Sequence, residues 1–403
     1  MPETLRKNSV GQRPKILVVT ERYWPEGGGG ELATHLITKL LADEFDITVV
    51  TGTKEPERAG GVRYIYEPAL SARSKHILWL NTMRLAKSTS FIKLVERADV
   101  IYVPRFAFPV IPLAKRLGKK MVVHLHGYIP ISYTAVVLAP YEKHKRRIHR
   151  ESVTLECKKG AVHCAAAGLT AWLMPKLAER WISMADAVIC VSKRQAQIIS
   201  EVTPQLRNKA VVVYNPPPPM PSLEKRPSET PTLFYVGGDS YLKGFPIALW
   251  TFSKLRHNYK AYITGNVSAK WANLVNKLGG KVALLGRIPY SDVLKLHAQA
   301  WALLFPSIWE EPLPYAVVEA LVAGTIPVAF AVGGVPEVVK NTPAEKFFCS
   351  PGELECLTEK LETVITMNPH DVVEVGLNLR EVATRKFDIN IVKKALIELL
   401  SGD

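Results

Sequence analysis

The sequence predicts two α/β domains, each an open parallel sheet covered by helices on both faces, that face one another across a cleft. Three observations carry this. Short β-branched apolar runs alternate with helical patterns through most of the chain, a proline-rich stretch divides them into two series, and several runs end in glycine turns. Apolar runs without in-out alternation suit strands buried on both faces, as in a parallel sheet between helical layers.

The first fourteen residues, MPETLRKNSVGQRP, are polar and lack the apolar stretch of a signal peptide, so the run after them is read as the first strand. The first series is KILVV (15–19), DITVV (46–50), VIYV (100–103), MVVHL (121–125), AVICV (187–191) and AVVVY (210–214). Between its first two members, Leu32, Leu36, Ile37, Leu40 and Leu41 fall on one face at the helical period. NPPPPMPSLEKRPSETP then starts at Asn215, and its prolines forbid regular structure and stiffen the chain. Residues 1–215 are therefore one domain and 216–231 a linker. The second series, TLFYV (232–236), AYITG (261–265), VALLG (282–286), ALLF (302–305) and IPVAF (326–330), sets a second domain at 232–385. IVKKALIELL, 391–400, reads as an amphipathic helix, so 386–403 forms a terminal helix able to pack back on the first domain.

With 403 residues, 47% apolar, 22% charged and 8% aromatic, the composition is globular and excludes a disordered tail or a coiled coil. Five cysteines, at 157, 164, 190, 349 and 356, are too few and odd in number for a disulfide framework. They predict free thiols and a reducing, cytoplasmic compartment. Cys157 and Cys164, with His163 beside the second, are poorly spaced for zinc. The uncharged run 121–141 contains two histidines, a glycine and two prolines, which argues against a membrane span.

The net charge of +15 is uneven: residues 1–220 hold 33 Lys/Arg against 18 Asp/Glu, whereas 221–403 hold 19 of each. Segment 69–150 alone holds 16 basic and 3 acidic residues, including KHKRRIHR at 143–150, and it also contains ILWL at 77–80. Cations beside apolar residues suit an anionic membrane surface, with Lys143, Lys145, Arg146 and Arg147 as candidates. No nucleic-acid motif accompanies the charge.

Ligands of open α/β sheets bind beyond the carboxyl ends of the strands, and four motifs sit there. Gly27 to Gly30 open the first helix, where glycine amides and the helix dipole favour an anion. His126 in VVHLHGY stands at a strand end, with His124 on the strand before it. YVGGDSYLKGF places Gly237 and Gly238 after a strand and Lys243-Gly244 at a helix start, a point charge suited to a diphosphate. In FPSIWEEPLPYAVVEALVAGTIPVAFAVGGVPEVV, 305–339, a loop carries Glu310 and Glu311, and a helix starts near Pro314 or Tyr315 and stops at Gly324. Glu319 lies in that helix, giving two carboxylates for a hydroxyl-rich ligand. The turn Gly333-Gly334 follows the next strand, with Pro336 suited to a first helical turn.

Together these segments resemble the family-four retaining glycosyltransferases, which have the GT-B fold of two Rossmann-like domains and use nucleotide-sugar donors. The resemblance runs from Lys15 to about Val339, and its most specific piece is E-x7-E, Glu311 to Glu319. GGGGE, ADAVICVS at 185–192, YLKG and LLGRIPYSDVLKLHAQA at 284–300 accompany it. It implies that Gly28 and Gly29 approach the donor diphosphate, Lys243 neutralises it, and Glu311 lies at the donor sugar. Glu319 would hold the ribose, Arg287 and Ile288 would line the base, and His126 would stand near sugar and acceptor. Leu313 and Tyr315, inside the same motif, belong to the implied donor site. Catalytic roles fall to Glu311, Lys243 and His126, with no metal or other cofactor required.

Two positions depart from the family pattern. Gly238 stands where an arginine is common, and Pro312-Leu313-Pro314 replaces G-F-G after Glu311, removing two amides. The resemblance also allows a nucleotide-sugar epimerase of the same fold or a non-catalytic binding subunit. The expected partners are a nucleotide sugar, a lipid-linked acceptor or cell-surface glycan precursor, and the inner face of a membrane.

Overall fold

The computed structural model describes residues 13–218 and 224–401. The reading of the first fourteen residues lies almost wholly outside this range, as does 219–223 of the linker.

Seven parallel strands build the first sheet: β1 (Lys15–Thr20), β2 (Asp46–Thr51), β3 (Arg63–Tyr66), β4 (Val100–Val103), β5 (Lys120–Leu125), β6 (Ala187–Cys190) and β7 (Ala210–Val212). Their order is β3-β2-β1-β4-β5-β6-β7. The second sheet has β8 (Thr232–Val236), β9 (Lys260–Thr264), β10 (Val282–Gly286), β11 (Ala302–Phe305), β12 (Ile326–Phe330) and β13 (Phe348–Cys349), in the order β10-β9-β8-β11-β12-β13. Every pairing in both is parallel. The order turns back beside the first strand of each sheet, which opens a crevice at the strand carboxyl ends. Strands β3 and β13 were not among the expected runs. RYIY on an edge is half-exposed, and two residues leave no pattern to read.

No regular element lies between Val212 and Thr232 among the described residues. The second half of this segment is not a free spacer, because it is strapped to the second domain. Backbone bonds run from Arg226 to Ala298 and from Ser228 to Gln299. Lys225, 5% exposed, donates to the His297 carbonyl at 3.2 Å and to the Ala300 carbonyl. Burial lowers its ammonium pKa to about 7.

The helix Pro369–Lys386 packs on Tyr315–Ala323 in the second domain, and the chain then returns. Ile389–Ser401 inserts Val392, Leu396 and Leu400 among Ile16, Val18, Ile37 and Leu41 of the first domain. The two passages between domains meet where the rings of Tyr214 and Phe387 touch edge to face, 5.6 Å between centroids.

Between β5 and β6 three helices leave the sheet: Lys145–Cys157, Ala161–Thr170 and Leu173–Ile182. Here the cysteine expectation is corrected. Cys157 is bonded to Cys164, joining the first two of these helices, and Cys349 is bonded to Cys356; Cys190 is a free, buried thiol. Each pair is seven residues apart, close enough to meet across one turn, and the free-thiol argument for a reducing compartment falls with it.

The expected basic surface also changes. Lys143, Lys145 and Arg146 are exposed, but Arg147 is held by Glu142 and by Glu151 at 2.7 Å. In ILWL, Ile77 and Leu80 are exposed while Leu78 and Trp79 are core. No helix among the described residues is long and apolar enough to cross a membrane.

Candidate active site

The carboxyl ends of both sheets converge on one interdomain cavity of about 430 Å³. From the first domain come the glycine turn after β1, His126 just beyond β5 and Asn215 beyond β7. From the second come Gly237 after β8, Lys243, the loop Trp309 to Pro314, and Tyr315 and Glu319 on the following helix.

That helix spans Tyr315–Ala323, with Pro314 as its N-cap and Gly324 in the left-handed region closing it. Its period carries Glu319 to the cavity wall, where the carboxylate accepts the Tyr290 hydroxyl at 2.6 Å. Glu319 is 4% exposed, and burial raises its pKa to about 7, the Tyr290 bond opposing part of the rise. Glu311 lies in the loop at the helix mouth, 3% exposed, with Lys243 Nζ 2.6 Å away and the Ser307 hydroxyl donating at 2.9 Å. The loop is fixed from behind by the second glycine turn. Gly334 N–H donates to the Glu311 carbonyl at 2.8 Å, and a β-carbon on Gly333 would lie 1.9 Å from that same oxygen.

Glu310 points the other way and clasps the domains. Its carboxylate accepts from Tyr141 N–H at 2.8 Å, Gly333 N–H at 2.9 Å and Arg194 Nε at 3.3 Å. Glu337 adds to the clasp by accepting the N–H groups of Lys193 and Arg194, which open a first-domain helix, at 2.9 and 2.6 Å.

His126 lines the cavity with its Nε2 buried and unpartnered, and burial, followed by His124 and Arg105, holds its pKa well below the usual value. His124, at the core end of the strand, bonds Tyr102 through Nδ1 at 2.6 Å.

Of the expected site residues, Gly28, Gly29, Lys243, Glu311, Leu313, Tyr315, Glu319 and His126 meet at this cavity. Three do not. Arg287 and Ile288 lie outside the lining, which takes Tyr290 and Val293 from that segment instead. Gly238 is turned into the fold: it has φ +57°, its N–H donates to the Thr264 carbonyl at 2.8 Å, and a β-carbon would sit 2.4 Å from the Asn266 carbonyl oxygen. An arginine cannot occupy that backbone without moving it. Gly28 lines the cavity, yet its N–H already donates to Glu31 at 2.9 Å.

Sequence reasoning missed Trp24, Asn215, Tyr290 and Trp309. The signals were present: Asn215 is the polar residue closing the last strand of the first series, and Trp309 stands two before Glu311.

The chain matches two protein-family models, Glycosyltransferase Family 4 over residues 26–217 and Glycosyl transferases group 1 over 221–378. It is 32% identical over 115 residues to an uncharacterised glycosyltransferase of Methanocaldococcus jannaschii, a match covering 27% of this chain and 29% of that protein's length. Among solved structures it resembles Anabaena HepE in complex with UDP and glucose, at TM-score 0.68 and 19% identity over 97% of this chain and 100% of that one. Sucrose-phosphate synthase from Thermosynechococcus elongatus superposes at TM-score 0.74 and 16% identity, over 97% and 99% of the two chains. The two family models take in both halves of the chain, and with two parallel sheets meeting at one cleft it belongs to the group 1 glycosyltransferases of the GT-B fold.

Proposed function

We propose that the protein transfers a sugar from a nucleoside diphosphate to a hydroxyl acceptor with retention of anomeric configuration. The observation that carries this is the Lys243–Glu311 pair at 2.6 Å, set beside a helix mouth and a buried Glu319 in one interdomain cavity. In the transfer an acceptor oxygen bonds to the anomeric carbon as the bond from that carbon to the diphosphate breaks. The electron pair leaves with the diphosphate, which also receives the acceptor's proton. Lys243 and the N-terminus of the helix Tyr315–Ala323 stabilise the departing charge, a role in which no metal is needed. Glu311 faces the sugar and Glu319 the ribose, while His126 orients the acceptor oxygen. HepE, solved with UDP and with UDP-glucose, supports a nucleotide-sugar donor. Retention is what the family resemblance implies.

A second part of the reading concerns a membrane. Val162, Leu169, Trp172 and Leu173 stand exposed on the helices beyond β5, Trp172 at 52% with Lys176 Nζ over its ring at 5.1 Å. Ile77 and Leu80 are exposed on a helix tied to the same group through His76 and Thr170, 2.9 Å apart. Apolar side chains fringed by lysine suit an interfacial surface, and we infer that the enzyme meets a lipid-linked acceptor there.

The deciding test is nucleoside diphosphate release from a panel of nucleotide sugars, with product anomers read by NMR. Glu311→Ala and Lys243→Ala should each lower turnover by about 10²-fold or more. Near-normal rates in both remove the proposed site.

A further inference from the structure

A second cavity, of about 180 Å³, adjoins the first on the first-domain side and shares His126 and Trp309 with it. Its volume is that of about six waters, enough for one sugar ring and little more. Phe106, Phe108 and Val136 give it apolar walls, and the loop that closes it holds Ala135 at φ +62°, a conformation other residues than glycine rarely adopt.

Besides Arg105 and Thr134, its polar groups are two imidazoles. His124 and His126 both line the cavity, their rings 4.3 Å apart, and the Nε2 of each is buried without a partner. His124 is fully buried, and its Nδ1 is occupied by Tyr102. Burial holds both imidazoles below their usual pKa, so they are neutral at pH 7. A neutral imidazole nitrogen donates or accepts one hydrogen bond, which a hydroxyl answers in either sense.

The charge count points the same way. Among the described residues lining the cavity, Arg105 is the one charged side chain, and it is spent. Glu21 takes its Nε at 2.7 Å and Glu31 its Nη1 at 2.9 Å; both carboxylates are about 5% exposed or less. One guanidinium between two carboxylates leaves a local charge of −1, and Lys75, outside the lining with its Nζ 5.6 Å from the centre of the Phe106 ring, is engaged by the Tyr133 carbonyl, so an entering phosphate would find no unengaged cation in the lining and a like charge nearby.

We propose that this cavity seats the acceptor's reacting ring and accepts it only as a neutral, unphosphorylated sugar. The enzyme therefore extends a glycan already in place, and an earlier sugar or sugar-phosphate transfer must supply its acceptor; it does not prime a lipid phosphate or diphosphate. A ring hydroxyl beside His126 forms the new bond to the anomeric carbon while the diphosphate leaves with the electron pair and takes the hydroxyl proton. The proposal rests on the transferase reading above.

The test uses the full chain with the donor from the panel that it hydrolyses, adding octyl gluco-, galacto- or mannopyranoside, farnesyl phosphate, or no acceptor. At least one octyl glycoside should stimulate nucleoside diphosphate release, and farnesyl phosphate should not. Val136→Trp, which fills the cavity, should lower that stimulation by about tenfold or more while acceptor-free hydrolysis and nucleotide affinity persist, showing that it folds. Glu21→Gln, which frees charge on Arg105, should raise activity toward octyl glucoside 6-phosphate relative to octyl glucoside. Stimulation by farnesyl phosphate alone, or a Val136→Trp enzyme that keeps its glycoside response, overturns the proposal and leaves the transferase reading standing. Absence of donor binding and hydrolysis throughout removes both.

Discussion

Glu319 is where the chemistry of a single residue is most exposed to test. Its carboxyl sits at about 7 instead of 4.5 because burial penalises the ion. A folded-state pKa above the unfolded one contributes stability that is full below about 4.5 and is lost as pH rises through about 7. The free protein therefore loses this contribution over that window, while the ionised carboxylate becomes a stronger acceptor for the ribose hydroxyls proposed to meet it. Calorimetry with the nucleoside diphosphate should show affinity rising between about pH 6 and 8, and Glu319→Gln should remove the trend and weaken binding by about tenfold. An unchanged pH profile in the variant assigns the trend elsewhere. Glu311 and Glu319 could be read from the sequence because their spacing is local: proline starts the helix and glycine stops it. Arg287, Ile288 and Gly238 could not be placed, since which side of a turn faces the cavity depends on contacts such as Thr264 and Asn266 that are remote from it.

At the scale of elements, strands buried on both faces left unbroken apolar runs and were legible, whereas the half-exposed edge β3 and the two-residue β13 were not. The amphipathic pattern of Ile389–Ser401 announced a helix, but only the fold shows which core it completes. Leu396 is fully buried against the first domain, and Leu396→Ala should cost about 2–5 kcal/mol, read as a lower thermal midpoint. Activity at low temperature should change far less, because the helix is remote from the residues around Lys243. A variant with an unaltered midpoint would show that the helix is not needed to close the first-domain core. The cysteine pairs show the opposite limit: a count of five favours free thiols, and only the approach of Cys157 to Cys164 across the turn between two helices, and of Cys349 to Cys356, reverses it.

For the whole molecule, the charge surplus of the first half was visible in composition, and so was the ILWL part of the apolar surface beside it, but not the part on the helices after β5. Val162, Leu169 and Trp172 have the pattern of core residues, and a sequence alone would bury them. Cosedimentation with anionic vesicles should fall by about tenfold or more in Leu169→Ser with Trp172→Ser, each lost apolar contact being worth about 1.5–3 kcal/mol when fully engaged. Neutral vesicles should retain less of the wild type at low salt, and equal binding of wild type and double variant would place the membrane contact elsewhere. The helix that carries Ile77 and Leu80 neighbours the loop that walls the second cavity, since Lys75 donates to the Tyr133 carbonyl, one residue before Thr134. The meeting of Tyr214 with Phe387 has a mechanical consequence for all of this. Two covalent passages touch at one place, and Glu337, which accepts the Tyr214 hydroxyl at 3.1 Å and the N–H groups of Lys193 and Arg194, ties the clasp to that same place, so the domains are held there by chain and by hydrogen bonds at once. Asn215, the residue after Tyr214, lines the cavity, so whatever strains that junction reaches the cleft through a single peptide link.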